Sequence, residues 1–139
     1  MKGKQLLKIH LSAEPDRLCL ARATVRRAAQ LVGCDEDLVD KLVLAVNEAC
    51  MNVIQHAYKG EGSGEIILEI HNNDESIVFR VEDHANPIDL DSVRPRNLDD
   101  LRPGGLGTHF IREIMDECNM GHLESGTGNY LEMIKKINK

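Results

Sequence analysis

The sequence contains few aromatic residues and no tryptophan. Two tyrosines and two phenylalanines occur among 139 residues, an aromatic share of 3%. Proteins that bind single-stranded nucleic acid stack bases on aromatic side chains, and such side chains are scarce here. The net charge of −6 also opposes contact with a phosphate backbone, because that contact depends on Lys and Arg. The composition therefore argues against nucleic acid as a direct partner and requires a core of aliphatic side chains.

The cysteines and histidines lack the spacing of a metal or redox motif. Cys19, Cys34, Cys50 and Cys118 are far apart and include no CxxC pair. Three of them lie in segments with helical periodicity, where Cys acts as a small buried hydrophobe. The six histidines show no HxxxH or HExxH spacing, which argues against a zinc site. We therefore expect reduced thiols.

The sequence also lacks a long apolar run. No stretch approaches the ~18 apolar residues of a membrane span, and no signal peptide is visible at the N-terminus. We therefore expect a cytoplasmic protein with no membrane partner. The hydrophobic share of 42% and the charged share of 29% are those of a soluble globular chain. The length predicts one domain spanning residues 1–139.

Hydrophobic periodicity predicts strands at residues 6–11, 65–71, 77–81, 120–124 and 130–137, and helices at 16–32, at 35–58 and from Leu106 onward. Gly33 and Asp35 have the positions of a helix stop and a helix cap. The predicted buried positions are Leu18, Ala21, Val25, Ala28, Ala29 and Val32 on the first helix, and Leu38, Leu42, Ala45, Val46, Ala49 and Val53 on the second. The pattern predicts a two-layer α/β (α+β) sandwich, with a mixed, mostly antiparallel sheet of about five strands and three helices on one face.

Glu48 and Asn52 lie one turn apart on the second predicted helix and share a face. One interpretation is an ordinary solvated stripe that continues through Lys41 and Gln55. The alternative is the floor of a cleft, because Leu44, Met51 and Ile54 flank the stripe with apolar side chains. In a cleft, the Asn52 amide oxygen suits Mg²⁺, and the Glu48 carboxylate suits acceptance of a proton from an attacking hydroxyl.

Asp83 lies two residues beyond Val81, at the end of the strand predicted at residues 77–81. A carboxylate at a strand end can accept a hydrogen bond from an exocyclic amine such as that of adenine. The alternative is an ordinary turn-forming Asp. His84 and His56 have no partner pattern and receive no role.

A glycine-rich segment, Gly104-Gly105-Leu106-Gly107, precedes the third predicted helix. Glycines there allow backbone N–H groups to approach an anion, and the helix dipole adds positive potential. The alternative is a plain loop-to-helix turn, since the segment matches neither the P-loop nor the GxGxxG spacing. Residues 84–103, which precede it, show no sustained period and predict either a functional lid or a wrong assignment.

Taken in order, these motifs resemble the nucleotide-binding boxes of the GHKL ATPase superfamily. The matching segments are Glu48-x-x-x-Asn52, Asp83-x-Ala85-x-x-Ile88-Asp89 and Gly104-Gly105-Leu106-Gly107. Asn47-Glu48-Ala49-Cys50-Met51-Asn52 with His56-Ala57-Tyr58 is similar to the anti-sigma-factor serine kinases of bacterial partner-switching systems (RsbW-like). Further matches are Ile111-Arg112, Met115-Asp116-Glu117 and Gly128-Asn129-Tyr130-Leu131-Glu132-Met133. The resemblance covers nearly the whole chain and implies the GHKL (Bergerat-type) fold.

The resemblance implies ATP and Mg²⁺ as cofactors and assigns a role to each matching residue. Asn52 would ligate Mg²⁺, and Glu48 would be the general base. Asp83 would bind the adenine amine, beside Ala85 and Ile88. Gly104, Gly105, Leu106, Gly107 and Thr108 would meet the phosphates, with residues 86–103 as the ATP lid. Arg102 is a candidate for the γ-phosphate, with other lid arginines as alternatives.

One position departs from the family pattern. The family has DxG where this chain has Asp83-His84-Ala85. An alanine at a positive φ costs ~1 kcal/mol or more, and its methyl group can crowd the adenine. The departure predicts a weaker or altered pocket at the adenine end.

The resemblance implies an ATP-dependent protein serine kinase that is also an anti-sigma factor. Its implied partners are a STAS-domain anti-anti-sigma protein as substrate, a sigma factor, and a second copy of the chain in a homodimer. The alternative is a nucleotide-binding regulatory module that controls a partner by association, without phosphotransfer. Glu48 favours the kinase, because a pure binding module has no need of a base beside the metal ligand.

Overall fold

The structure is a computed structural model that describes residues 3–58, 64–85, 106–124 and 126–137. Five strands and three helices lie within these ranges. In chain order they are β1 (Lys4–Ser12), a 3₁₀ turn (Pro15–Arg17), α1 (Leu18–Leu31), α2 (Glu36–Asn52), a π-helical turn (Val53–Ala57), β2 (Glu65–Asn72), β3 (Ser76–Asp83), α3 (Leu106–Ile114), β4 (Glu117–His122) and β5 (Asn129–Lys136).

The five strands form one sheet in the order β1-β2-β3-β5-β4. Every pair of neighbours is antiparallel, so the part of the sheet that the structure describes is not mixed. The predicted hairpin of β2 and β3 is confirmed, with Leu68 opposite Val81. The predicted fold class, an α+β arrangement of about five mostly antiparallel strands with three helices, is also confirmed.

The core lies between the sheet and the helices. Strand side chains alternate between two faces, and one face carries the buried aliphatic residues of β2, β3 and β5. Phe79 on β3 and Met133 on β5 are directly opposite each other, and both are completely buried. These aliphatic side chains pack into one cluster with the buried residues of α1 and α2. The scarcity of aromatic residues therefore leaves the core to Leu, Ile, Val, Ala and Met.

The buried side of α2 is broader than the predicted stripe. Val39, Val43 and Cys50 are buried, whereas Leu38 and Val53 are only half-buried. Helix α2 contacts α1, α3 and β3, so burial extends around more of its circumference than a single apolar face. On α1 the predicted set is correct except for Val32, which is half-buried just beyond the helix end.

The predicted helix stop at Gly33 and helix cap at Asp35 are confirmed by backbone geometry. Asp35 accepts a hydrogen bond from the backbone N–H of Leu38 at 2.8 Å, as an N-cap residue does. Gly33 has φ +92°, the conformation that a glycine supplies after a helix. No helix in the described ranges is long and apolar enough to cross a membrane.

Two predictions from the sequence were imprecise. The strand predicted at residues 120–124 occupies Glu117–His122, because its only apolar side chains, Cys118 and Met120, give a weak alternation at the sheet edge. The four cysteines are free thiols, but only Cys50 is fully buried, and Cys19 is exposed on α1. Helical periodicity alone does not distinguish these two positions.

Candidate functional site

The C-terminal half of α2 carries the polar stripe predicted from the sequence. Glu48 and Asn52 are half-buried, whereas Lys41 and Gln55 at the two ends of the stripe are exposed. The neighbouring Asn47 accepts a hydrogen bond from the guanidinium of Arg22 on α1 at 3.0 Å. The middle of the stripe therefore lies in a partly enclosed position, as the cleft interpretation requires.

Directly after Asn52, α2 changes to a π-helical turn over Val53–Ala57. The turn ends where the backbone N–H of Tyr58 donates to the Val53 carbonyl at 3.0 Å. A π turn holds one extra residue, and such turns are frequent at functional sites. The hydrophobic pattern predicted an unbroken helix over residues 35–58, because one inserted residue alters that pattern only slightly.

Asp83 is the last residue of β3 and is 5% exposed. Its Oδ1 accepts hydrogen bonds from the Ala85 backbone N–H and from the Asn129 side-chain amide, both at 3.0 Å. Burial raises the pKa of Asp83, while the hydrogen bonds from Asn129 and Ala85 and the nearby His84 act in the opposite direction. Asp83 is thus a fixed carboxylate in a largely dehydrated position, which is more than a turn-forming role requires.

Ala85 is also buried, and its backbone N–H belongs to this turn. Its methyl group therefore lies beside the Asp83 carboxyl group and not in open solvent. The departure from the family pattern occurs next to the one buried carboxylate that the predicted site contains within the described residues.

The loop before β5 closes around Asp83. Gly128 has φ +116°, and a Cβ atom at this position would overlap with the Asp83 carbonyl oxygen. Asn129 follows directly and is opposite Asp83 in the sheet. In the sequence this segment entered only as a match to the family, and the contact between Asn129 and Asp83 was not predicted. The signal was the pair of glycines, Gly126 and Gly128, just before a predicted strand.

Tyr58 connects the end of the π turn to the same region. Its hydroxyl donates to the Glu65 carbonyl at 2.8 Å and accepts from the His84 backbone N–H at 2.7 Å. The sequence analysis included Tyr58 in the family resemblance but gave it no role. The structure thus places α2, β2 and β3 around one phenolic oxygen.

The remaining predicted site residues are described in part or not at all. Ile88, Arg102, Gly104, Gly105 and the lid at residues 86–103 lie outside the described residues. Leu106, Gly107 and Thr108 form the first turn of α3, which begins where the glycine-rich segment predicted it. Since α3 packs against α2, its N-terminal turn belongs to the same side of the sheet as Glu48 and Asn52.

The oxygen donors of this arrangement suit a magnesium ion shared with a nucleotide. Mg²⁺ is usually held by one or two protein oxygens together with phosphate oxygens and water. Asn52 offers an amide oxygen, and Glu48 offers a carboxylate one turn away. Within the described residues, no group of three or more His, Cys, Asp or Glu side chains is arranged to hold a metal by itself. The residues therefore fit an ion that depends on phosphate for much of its coordination.

Comparison with known proteins places this geometry in a family. Residues 11–135 match the histidine kinase-like ATPase domain. The chain belongs to this family. A serine-protein kinase RsbW from Listeria innocua is 30% identical to it, over 96% of this chain and 88% of the relative. The family resemblance predicted from the sequence motifs is therefore confirmed.

Solved structures of similar fold agree with this assignment to the histidine kinase-like ATPase domains. The RsbU and RsbW domains of a Mycobacterium tuberculosis protein match with a TM-score of 0.66 at 18% identity, over 96% of this chain and 33% of that one. The SiaB–SiaC complex from Pseudomonas aeruginosa matches with a TM-score of 0.61 at 15% identity, over 96% of this chain and 91% of that one. At these identities the likeness concerns the fold.

Proposed function

We propose that this chain is an ATP-dependent protein serine kinase and anti-sigma factor that phosphorylates a STAS-domain anti-anti-sigma protein. The observation that carries the proposal is the pair Glu48 and Asn52, half-buried one turn apart on α2. Buried Asp83 lies on β3, which α2 contacts. A base, a metal ligand and an acceptor for adenine thus belong to adjoining elements of one domain. Relatives named as serine-protein kinases support phosphotransfer to serine.

In this proposal ATP lies between α2 and the end of β3. The Asp83 carboxylate would accept a hydrogen bond from the adenine amine, in addition to those it accepts from Ala85 and Asn129. Asn52 would hold Mg²⁺, which would neutralise charge on the phosphates. Gly104, Gly105 and Gly107 would let backbone N–H groups reach the phosphates, with the lid at residues 86–103 closing over them.

Glu48 performs the proton transfer. The hydroxyl oxygen of the substrate serine attacks the γ-phosphorus, the bond from that phosphorus to the β–γ bridging oxygen breaks, and ADP leaves. Glu48 accepts the hydroxyl proton as the new bond forms. Arg102 is the proposed partner of the γ-phosphate, and the other arginines of the lid are alternatives. A single domain spanning 1–139 contains all of these groups.

The proposed partners follow from the partner-switching family. A STAS-domain protein would supply the serine, and a sigma factor would be held when that protein is absent or phosphorylated. A homodimer and a cytoplasmic location complete the proposal.

The experiment is phosphotransfer from labelled ATP, with Mg²⁺, to a candidate STAS partner. Glu48→Gln keeps the size of the side chain and removes the base, so we expect the rate to fall by about 10²-fold or more while ATP affinity is retained. Glu117→Gln is the matched control, because Glu117 is an exposed residue of β4. Equal rates in wild type and Glu48→Gln would refute the proposed base.

A second candidate function is a nucleotide-binding regulatory module that acts by association alone. Ala85 favours it, since this buried methyl group stands where the family has glycine. A stable complex with the STAS partner and no phosphoserine, with ATP and Mg²⁺ present, would support the module and contradict the kinase.

A further inference from the structure

The Tyr58 hydroxyl forms hydrogen bonds with β2 and with the residue that follows β3. The ends of these two strands lie at the proposed nucleotide site. The Tyr58 hydroxyl makes two hydrogen bonds, and both are to backbone atoms. It donates to the Glu65 carbonyl of β2 at 2.8 Å and accepts from the N–H of His84 at 2.7 Å. His84 follows Asp83 directly, so the second bond fixes the peptide that leaves the carboxylate-bearing residue.

The hydroxyl lies where the pairing of β2 and β3 ends. Ile66 is opposite Asp83, so Glu65 and His84 would be the next residues to face each other. In a continuing antiparallel ladder, such residues can bond to each other directly. Here the phenolic oxygen is inserted between the Glu65 carbonyl and the His84 N–H. Tyr58 therefore ends the ladder at Asp83 and determines where the chain turns away.

The ring of Tyr58 is held as firmly as its hydroxyl. A Cβ atom on Gly64 would collide with three atoms of the ring, so glycine is required for the ring to lie against the backbone. The Gly64 carbonyl in turn accepts a hydrogen bond from the Ala13 N–H at 2.9 Å, just after β1. The phenol thus has little freedom to move away from His84.

Tyr58 is also six residues after Asn52 along the same chain segment. The π turn joins the two, and the Tyr58 N–H closes that turn on Val53. A short covalent and hydrogen-bonded path therefore runs from the proposed metal ligand, through the phenol, to the peptide next to Asp83.

We propose that Tyr58 is a positioning residue that sets the Asp83 carboxylate at the correct distance from the phosphate end of the site and so contributes to selectivity for adenine. This inference rests on the proposed ATP function. The adenine amine can donate a hydrogen bond to a carboxylate. Hypoxanthine has a carbonyl oxygen in place of this amine, and a carboxylate repels that oxygen. Selectivity between ATP and inosine triphosphate therefore reports the position of Asp83, while the triphosphate contacts are common to both nucleotides.

The test measures the affinities of ATP and inosine triphosphate for the full chain with Mg²⁺ by calorimetry. Tyr58→Phe keeps the ring and removes both hydrogen bonds. We expect its ATP-to-inosine triphosphate affinity ratio to fall about fivefold to tenfold, the effect of losing one net hydrogen bond. Tyr130→Phe is the matched control, because Tyr130 is the other tyrosine of the chain and its ring stacks under Arg80. Its ratio should not change.

Two further variants test whether the Tyr58 ring position matters and whether Tyr58 acts through Asp83. Gly64→Ala should displace the ring and lower the ratio in the same direction. In an Asp83→Asn background, Tyr58→Phe should leave the ratio unchanged, because both residues act through one carboxylate. Thermal unfolding of each variant confirms that it is folded.

The outcomes separate this inference from the function on which it rests. If the wild type binds neither nucleotide, the proposed function itself fails. If the wild type prefers ATP and Tyr58→Phe keeps the same ratio, or weakens both nucleotides by one factor, Tyr58 has only a structural role and the inference is overturned.

Discussion

Replacing Asn129 by Ala removes the amide that donates to the Asp83 carboxyl group. Asn129 is 5% exposed, and its Nδ2 lies 3.0 Å from Oδ1. A hydrogen bond to a charged group contributes about 1.5–3 kcal/mol, and one to a neutral group about 0.5–1.5 kcal/mol. We expect Asn129→Ala to lower the free energy of unfolding by ~2 kcal/mol at pH 8, the end of the tested range that favours ionised Asp83. The melting temperature should fall by about 6–8 °C for a chain of this size.

The decrease in the free energy of unfolding caused by Asn129→Ala should depend on pH. The direction of this dependence follows from the pKa of Asp83. Burial raises that pKa above its value in the unfolded chain. Between the unfolded and the folded pKa, the folded protein therefore retains a proton that the unfolded chain has released. The free energy of unfolding falls as pH rises through this range. The Asn129 amide opposes the rise, so its removal raises the pKa of Asp83 further. The destabilisation should therefore be ~1 kcal/mol at low pH, where Asp83 is protonated in both proteins, and should grow as pH rises from the folded pKa of the wild type to the higher folded pKa of the variant.

The assay is chemical denaturation of wild type and variant between pH 4 and pH 8. Asn119→Ala is the matched control, because Asn119 is exposed on β4 and such a surface change alters stability by less than about 0.5 kcal/mol. A destabilisation by Asn129→Ala that is the same at pH 4 and pH 8 would refute the coupling between this amide and the ionisation of Asp83.

Three more predictions concern the same structure. Asp83→Asn should weaken ATP while it preserves or raises the stability of the free protein at pH 8, because no buried charge remains; unchanged ATP affinity by calorimetry would contradict the assignment. Gly128→Ala should lower the free energy of unfolding by at least ~2 kcal/mol in denaturant, because the positive φ and the overlap with Asp83 both destabilise alanine there. Gly126→Ala should lower it by only about 1–2 kcal/mol, because Gly126 has φ +83° but open space around it. Burial raises the pKa of Cys50 to about 12, whereas Cys19 is exposed. Iodoacetamide at pH 8 should therefore label Cys19 first and Cys50 only on unfolding, as measured by peptide mass spectrometry. Equal labelling of the two cysteines would contradict the burial of Cys50.

Local sequence patterns were sufficient for most of the fold. The N-cap at Asp35, the stop at Gly33 and the hairpin of β2 and β3 each depend on residues close together in the chain. Glu48 and Asn52 could also be predicted, because their shared face depends only on helix geometry. Residues that act together at a fixed short spacing in the chain can be predicted without knowledge of the tertiary structure.

The contacts that the sequence did not reveal join distant parts of the chain. The Asn129 amide reaches Asp83 across 46 residues, and Tyr58 reaches His84 across 26. Both contacts require knowledge of which strands are neighbours, and no local pattern shows that β5 adjoins β3. The π turn after Asn52 was missed for a different reason, since one extra residue shifts the helical pattern only slightly.

The place of β5 in the sheet has a consequence for synthesis on the ribosome. β5 comes last among the described strands, yet it lies between β3 and β4 and carries Asn129. A nascent chain that ends before β5 leaves β3 as an open edge, available for pairing with other chains. It also leaves Asp83 without its amide donor. The proposed adenine end of the pocket is thus completed only after β5 has been synthesised, and a chain terminated before β5 lacks Asn129.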